Sequence, residues 1–79
     1  MAFRFDGGVI MYEIYYYDSW SDTYERSSSF DTLSEAEREV SRRIKSHEPD
    51  VTAYYIEWRE DGIPYEIGYY LTLDGWERD

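Results

Sequence analysis

The chain has 79 residues, of which 18 are Asp or Glu and eight are Lys or Arg, so its formal charge at pH 7 is −10. Such a surface is repelled by phosphate groups, which excludes ordinary DNA, RNA or anionic-lipid binding and favours a basic partner. The length allows one domain, and the lack of cysteine excludes disulfides and thiolate metal sites. Aromatic residues make up 20% of the chain, and we expect them to supply much of its core.

The first residues are interpreted as an extension rather than as part of the fold. Residues 1–8 end in two glycines and predict a flexible N-terminal segment before a single domain at 9–79. No run approaches the ~18 apolar residues of a membrane span. The start also lacks the basic and then apolar order of a signal peptide. We therefore expect a cytoplasmic protein with no membrane partner.

Two strands are predicted before the helix. Residues 9–17 are rich in β-branched and aromatic side chains, which favour a half-buried strand. Turn-forming residues at 18–22 lead to a second strand at 23–30. This second strand is polar enough to lie at a sheet edge.

A helix is predicted at 33–47. Thr32 and Glu35 have the spacing of a capping box, and Pro49 cannot continue the helical hydrogen bonds. Acidic residues fall early in the helix and basic residues late, which complements its dipole. One apolar stripe recurs at three- and four-residue steps and consists of Leu33, Ala36, Val40 and Ile44. We expect this stripe to pack on Tyr54, Ile56, Trp58, Ile67 and Tyr69.

The clearest local signal is a hairpin formed by residues 51–60 and 63–73. Asp61-Gly62 is a preferred sequence for a two-residue turn that needs positive φ at both positions. This turn sets a register in which three apolar pairs share one face, namely Trp58–Tyr65, Ile56–Ile67 and Tyr54–Tyr69. The sequence therefore predicts an α+β domain of ββαββ order, with the helix on one face of an antiparallel sheet of undetermined strand order. After a turn at 73–76, Trp76 is expected to fold back over the core.

The same register places Glu57 opposite Glu66 on the other face of the sheet. Like charges that face each other across strands are unfavourable. Local conflicts of this kind often mark functional sites, and the alternative is an exposed pair that is screened by salt and persists by chance. Tyr55 and Tyr70 fall on that face as well. We predict that this group is the centre of a contact with a basic partner.

The sequence offers no catalytic constellation, so we expect no enzyme, metal or cofactor. The one histidine, His47, falls in the last predicted helical turn, where histidine commonly stabilises the terminal carbonyl groups. Asp18 and Asp22 resemble the start of a calcium loop. Trp20 and Thr23, however, occupy a ligand position and the position that requires glycine.

The remaining surface signals favour protein binding. Tyrosines on a sheet can stack nucleic-acid bases, but such platforms need a basic groove, and here the neighbours are acidic. Tyr and Trp are also enriched at protein interfaces, and alternate carboxylates along a strand stand ~6.5–7 Å apart, a scale similar to that of adjacent phosphates. The predicted partner-binding residues are Glu13, Tyr15, Asp18, Trp20, Asp22, Glu25, Tyr55, Glu57, Glu60, Glu66 and Tyr70.

A hairpin, a helix that starts with Phe30, Thr32, Glu35 and Ala36, and a second hairpin follow one another in this small acidic chain. In this it resembles phage-encoded inhibitors of bacterial defence, particularly anti-CRISPR proteins. The resemblance implies occlusion of the basic nucleic-acid-binding channel of a CRISPR effector complex, in some members by charge imitation, in the host cytoplasm. It carries over no functional residue. The alternative is a homodimeric interaction module, joined through edge strands or the tyrosine-bearing face, without an inhibitory role.

Overall fold

The computed structural model describes residues 10–46 and 50–79. These residues form strands β1 (Tyr12–Asp18) and β2 (Thr23–Phe30), helix α1 (Leu33–Ser46), and strands β3 (Val51–Glu60), β4 (Ile63–Thr72) and β5 (Gly75–Arg78). The five strands make one antiparallel sheet in the order β2-β1-β3-β4-β5. The predicted α+β class is confirmed, but residues 10–46 and 50–79 contain one strand more than ββαββ. The proposed extension at 1–8, residue 9 and His47 lie outside the described residues.

The second hairpin has the predicted register at every position. Glu57 opposes Glu66, Ile56 opposes Ile67, and the pairing runs without a shift from Ala53 to Glu60. Asp61 and Gly62 have φ values of 54° and 80°, which is the positive-φ pair that a tight two-residue turn requires. The local turn chemistry thus fixes which side chains of β3 and β4 share a face.

Helix α1 begins at the predicted residue and ends at Ser46. The Thr32 hydroxyl oxygen accepts a hydrogen bond from the Glu35 backbone N–H at 3.2 Å, as an N-cap residue does. The Glu35 carboxylate accepts from the Thr32 hydroxyl at 3.1 Å, which differs from the backbone bond expected of a full capping box. Ala36 and Val40 are fully buried.

The core lies between α1 and one sheet face, as predicted. Ile14, Tyr54 and Ile56 are buried with the helix residues, and Leu33, Ile44, Trp58 and Ile67 pack around them in partly buried positions. Trp76 packs against this core, with its ring centroid 5.5 Å from that of Tyr54. It does so from β5, which was not predicted. Arg78, also on β5, forms an ion pair with Glu37 of α1 at 2.6 Å.

Within residues 10–46 and 50–79, α1 is neither long enough nor apolar enough to cross a lipid bilayer.

Candidate binding surface

The sheet face opposite α1, which we call the open face, carries the candidate site. Ile14, Ile56 and Ile67 form a row on the helix side. Because side chains alternate along a strand, the residues next to them in each strand lie on the other side. Among the described residues, no element packs on this side. The open face is therefore a surface that no described element covers.

Three glutamates form a row across the open face. Glu13 of β1 is the direct partner of Glu57 on β3, and Glu57 is the direct partner of Glu66 on β4. Neighbouring strands lie about 4.7–4.9 Å apart, so three negative charges stand side by side. We call Glu13, Glu57 and Glu66 the glutamate row. The predicted pair of like charges is in fact part of a row of three.

The three glutamates differ in the ion pairs and hydrogen bonds that their carboxylates form. Glu13 accepts a hydrogen bond from the Tyr15 hydroxyl at 3.2 Å and lies 3.7 Å from a guanidinium nitrogen of Arg26. Neither Glu57 nor Glu66 forms an ion pair or a side-chain hydrogen bond with another residue of the described chain. No direct ion pair within the described chain therefore offsets these two adjacent negative charges.

A cluster of tyrosines adjoins the glutamate row. Tyr15 and Tyr55 stack with ring centroids 4.7 Å apart and an interplanar angle of 9°. Tyr24 meets Tyr55 edge-on at 5.0 Å and lies 5.4 Å from Tyr17. These four residues and Tyr70 are called the tyrosine cluster. Offset and edge-to-face contacts of this kind hold the rings in place and keep a broad apolar area rigid.

Gly68 makes room for the ring of Tyr70. A β-carbon at Gly68 would lie 2.8 Å from Tyr70 Cε2, so a larger residue would displace the ring. Gly68 is the cross-strand partner of Tyr55, and this places the Tyr70 ring beside the rest of the tyrosine cluster. A glycine inside a strand, which usually weakens it, here allows the close approach of an aromatic ring.

The electrostatics of the open face keep the phenol groups protonated. Burial, followed by the hydrogen bond to Glu13, raises the pKa of Tyr15. Burial, followed by the charge of Glu57, raises the pKa of Tyr55. The Tyr15 and Tyr55 hydroxyl groups are therefore neutral at physiological pH, and the negative charge beside them comes from the glutamates.

A depression of about 360 Å³ borders the other side of the glutamate row. Its lining consists of Ile10, Met11, Glu13, Glu57, Trp58 and Arg59. The depression thus combines apolar side chains with two of the three glutamates and with the cationic side chain of Arg59.

The predicted binding residues do not form one surface. Six of them share the open face, namely Glu13, Tyr15, Tyr55, Glu57, Glu66 and Tyr70. Three others, Asp18, Trp20 and Asp22, lie at or in the β1–β2 turn, and Trp20 is 85% exposed there. The Asp18 carboxylate accepts a hydrogen bond from the Trp20 backbone N–H at 2.9 Å, and the Asp22 carboxylate accepts one from the Tyr17 hydroxyl. The last two lie on the helix side: Glu25 is the partner of Tyr16, and Glu60 accepts from the Trp58 indole N–H at 2.9 Å.

Sequence reasoning missed three residues of the open face: Tyr17, Tyr24 and Arg26. The two tyrosines could have been found from the first hairpin, because Tyr17 alternates with Tyr15 and opposes Tyr24. Arg26 could have been found in the same way, because it alternates with Tyr24 and opposes Tyr15 before the register shifts. The shift between Ile14 and Tyr15 affects only the later residues of β2, from Ser28 onward, and such a bulge leaves no clear signal in the sequence.

The described residues include no group of three His, Asp or Glu side chains arranged to hold a metal ion. The open face combines aromatic rings with carboxylates that form no ion pair in the described chain, and tyrosine is a residue type enriched at protein interfaces. Comparison with known proteins adds nothing to this chemistry: the chain matches no protein-family model, no curated protein and no solved structure.

Proposed function

We propose that this protein is a binding protein that docks its open face on a Lys/Arg-rich surface of another protein or nucleoprotein complex and occludes that surface. The specific target that we propose, from the resemblance noted above, is the nucleic-acid-binding channel of a CRISPR effector complex in the host cytoplasm. On this proposal the protein is an inhibitor and not an enzyme. The observation that carries it is the glutamate row, in which Glu57 and Glu66 have no cationic partner in the described chain.

The free energies support a basic partner. Like charges directly opposite each other in a sheet cost a few tenths of a kcal/mol or more, and this cost is present in the free protein. A cation placed between Glu57 and Glu66 removes the repulsion and adds attraction. Binding therefore relieves a conflict that folding leaves in place.

The tyrosine cluster supports the same proposal by supplying contact area. Charged pairs steer association and set specificity, whereas large aromatic side chains supply much of the affinity at protein interfaces. Tyr24 and Tyr70 are 45% and 39% exposed, so both have surface left to bury against a partner. A face that joins both features fits a protein surface better than a small ligand.

The arrangement favours occlusion over extended imitation of a phosphate backbone. The glutamate row runs across three strands and spans two strand spacings, on the order of 10 Å. It can occupy the place of one or two phosphates. The other acidic residues predicted to take part lie in the β1–β2 turn or on the helix side, so they cannot extend the row.

Replacement of Glu66 by lysine tests the proposal. Glu66→Lys creates an attractive pair with Glu57, so the melting temperature of the free domain should stay the same or rise slightly. The same change opposes a positive partner, and binding should fall tenfold or more, about 1.4 kcal/mol. Asp74→Lys is the matched control, because it makes the same charge change in the exposed turn after β4. Unchanged binding by Glu66→Lys would show that the open face is not the interface.

The target itself is sought by affinity capture from cells that carry a CRISPR system, with identification of bound proteins by mass spectrometry. The proposal predicts recovery of effector subunits with the parent protein and their loss with Glu66→Lys. Recovery of this chain alone would overturn the inhibitor proposal in favour of a homodimeric module.

A further inference from the structure

Arg26 of the chain itself indicates which cation the open face takes. Its guanidinium lies 3.7 Å from Glu13, and its strand partner is Tyr15, so it rests at the junction of the glutamate row and the tyrosine cluster. The Arg26 side chain is 64% exposed, so its position does not result from burial in the core. The fold thus contains one example of a guanidinium held on this surface.

We propose that the open face recognises arginine, in preference to lysine, on the surface of its partner. This proposal rests on the proposed function and specifies the chemistry of the partner. Arg26 neutralises one member of the glutamate row, and Glu57 and Glu66 are the members that partner arginines neutralise.

The surroundings of these two glutamates suit a guanidinium. Glu57 lies two residues from Tyr55 on β3, and Glu66 lies two residues from Gly68, over which the ring of Tyr70 lies. A cation at either carboxylate therefore also lies next to an aromatic ring. A guanidinium can stack on a ring and still direct its N–H groups, which lie in its own plane, to a carboxylate at the side of the ring.

The ammonium group of lysine interacts less favourably with the same carboxylates and rings. The lysine charge is compact and strongly hydrated, so contact with a tyrosine ring requires removal of water that the ring does not replace. The weakly hydrated, planar arginine side chain loses less on leaving water. The combination of paired carboxylates and adjacent rings therefore discriminates between two side chains of equal charge.

Two fluorescently labelled peptides, nona-arginine and nona-lysine, test the proposal by fluorescence anisotropy with the full chain at 150 mM NaCl. We expect nona-arginine to bind at least fivefold more tightly. Tyr70→Leu should reduce this preference to within twofold, whereas Tyr65→Leu should preserve it. Tyr65 is a matched control, because it lies on the same strand with similar exposure, 42% against 39%, but on the helix side.

A second pair of variants tests the role of Arg26. Arg26→Gln frees Glu13 for a further guanidinium and should tighten nona-arginine binding severalfold. Arg38→Gln removes the same charge from an exposed position of α1 and should change binding much less. A thermal melt of each variant checks that the fold is retained.

The outcomes separate the two proposals. Equal affinity for both peptides, with loss of both on Glu66→Lys, would overturn arginine recognition and leave the basic-partner proposal intact. Failure of both peptides to bind would overturn both proposals. Self-association that hides the open face, seen as peptide affinity that falls with protein concentration, would also overturn both.

Discussion

At the scale of single residues, Val40 is the largest fully buried side chain of α1. It has 0% exposure and belongs to the same buried cluster as Ile14 and Tyr54. Val40→Asp would bury an unpaired carboxylate at a cost of several kcal/mol, against a total stability of about 5–15 kcal/mol for a domain. We expect this variant to be unfolded at 25 °C by circular dichroism. Ser41→Asp, at the exposed neighbouring position, should melt close to the parent, and equal melting of the two variants would refute the core assignment.

Glu39 links stability to pH. Hydrogen bonds from the guanidinium groups of Arg42 and then Arg43, at 2.6 to 2.9 Å, lower the pKa of Glu39 from 4.5 to about 2. A carboxyl group with a depressed pKa in the folded state stabilises the fold above its unfolded pKa. That stability is lost as the pH falls from about 4.5 towards 2.

Replacement of Glu39 isolates this effect from the other carboxylates. We expect Glu39→Gln to have a lower melting temperature than the parent at pH 7. The difference between the two melting temperatures should become smaller as the pH falls to about 2. The control Asp31→Asn removes a carboxylate that forms no ion pair with a described residue, and its difference from the parent should be small throughout. A Glu39→Gln difference that does not change with pH would contradict the assignment.

At the scale of elements, Pro64 protects one edge of the sheet. Glu60 and Ile63 flank the two-residue turn and form a backbone hydrogen-bonded pair. Because hydrogen-bonded pairs alternate along an antiparallel ladder, the even-numbered residues of β4 direct their backbone N–H and C=O groups away from β3. The Gly68 carbonyl shows this direction, because it accepts a hydrogen bond from the Asp79 backbone N–H at 2.9 Å on the side away from β3. Strand β5 covers only residues 69–72 of β4. Pro64 therefore lies where an N–H would face the uncovered edge, and it has none.

Restoring that donor should promote edge pairing. Pro64→Val supplies an outward N–H and a side chain that favours strands, next to the exposed residues Ile63 and Tyr65. We expect concentration-dependent dimers or larger species by sedimentation velocity, where the parent shows fewer. Thr52→Val adds the same side chain to the interior strand β3 and should leave the association state unchanged. A monomeric Pro64→Val protein would show that this edge does not control association.

Strand β2, at the opposite edge of the sheet, is protected against pairing with a further strand in a different way. The register shift leaves Ser27 as an extra residue opposite β1, and Arg43 of α1 donates hydrogen bonds to the hydroxyl oxygens of Ser27 and Ser28. A bulge twists an edge and interrupts its ladder, so a second strand pairs poorly with it. Strand β2 and the uncovered part of β4 thus disfavour the strand-to-strand homodimer that the sequence left open, whereas the tyrosine-bearing face remains available.

The elements differ in how far the sequence specifies them. The β3–β4 hairpin, its register and the helix start follow from local chemistry: Asp61-Gly62 permits the turn, and Thr32 caps the helix. Strand β5 was missed because four residues, Gly75–Arg78, are too short to show alternation. Local signals join strands that follow each other in the chain. They do not determine that β1 returns beside β3, because that pairing depends on packing across the helix.

At the scale of the whole molecule, strand order decides the composition of the site. The sequence predicts the opposed pair Glu57 and Glu66, but Glu13 joins them only because β1 lies next to β3. The same order brings Tyr15 against Tyr55 and thereby joins residues that lie 40 positions apart. The binding surface is thus a property of the fold and not of any one segment. This explains why its chemistry could be predicted from the sequence but its extent could not.

The net charge of −10 makes electrostatic attraction a large part of any binding to a basic partner, which is the binding that we propose. If the protein occludes a channel that normally holds nucleic acid, the two ligands are mutually exclusive. Saturating amounts of the partner's own nucleic acid should then abolish the complex in a competition assay by size-exclusion chromatography. An equal mass of a neutral polymer should leave it intact. The complex should also weaken steeply from 0.15 to 0.5 M NaCl, since the screening length falls from about 8 Å to roughly 4–5 Å. A complex that survives saturating nucleic acid would place the protein on a remote surface of its target, and inhibition would then have to be transmitted through the target's conformation.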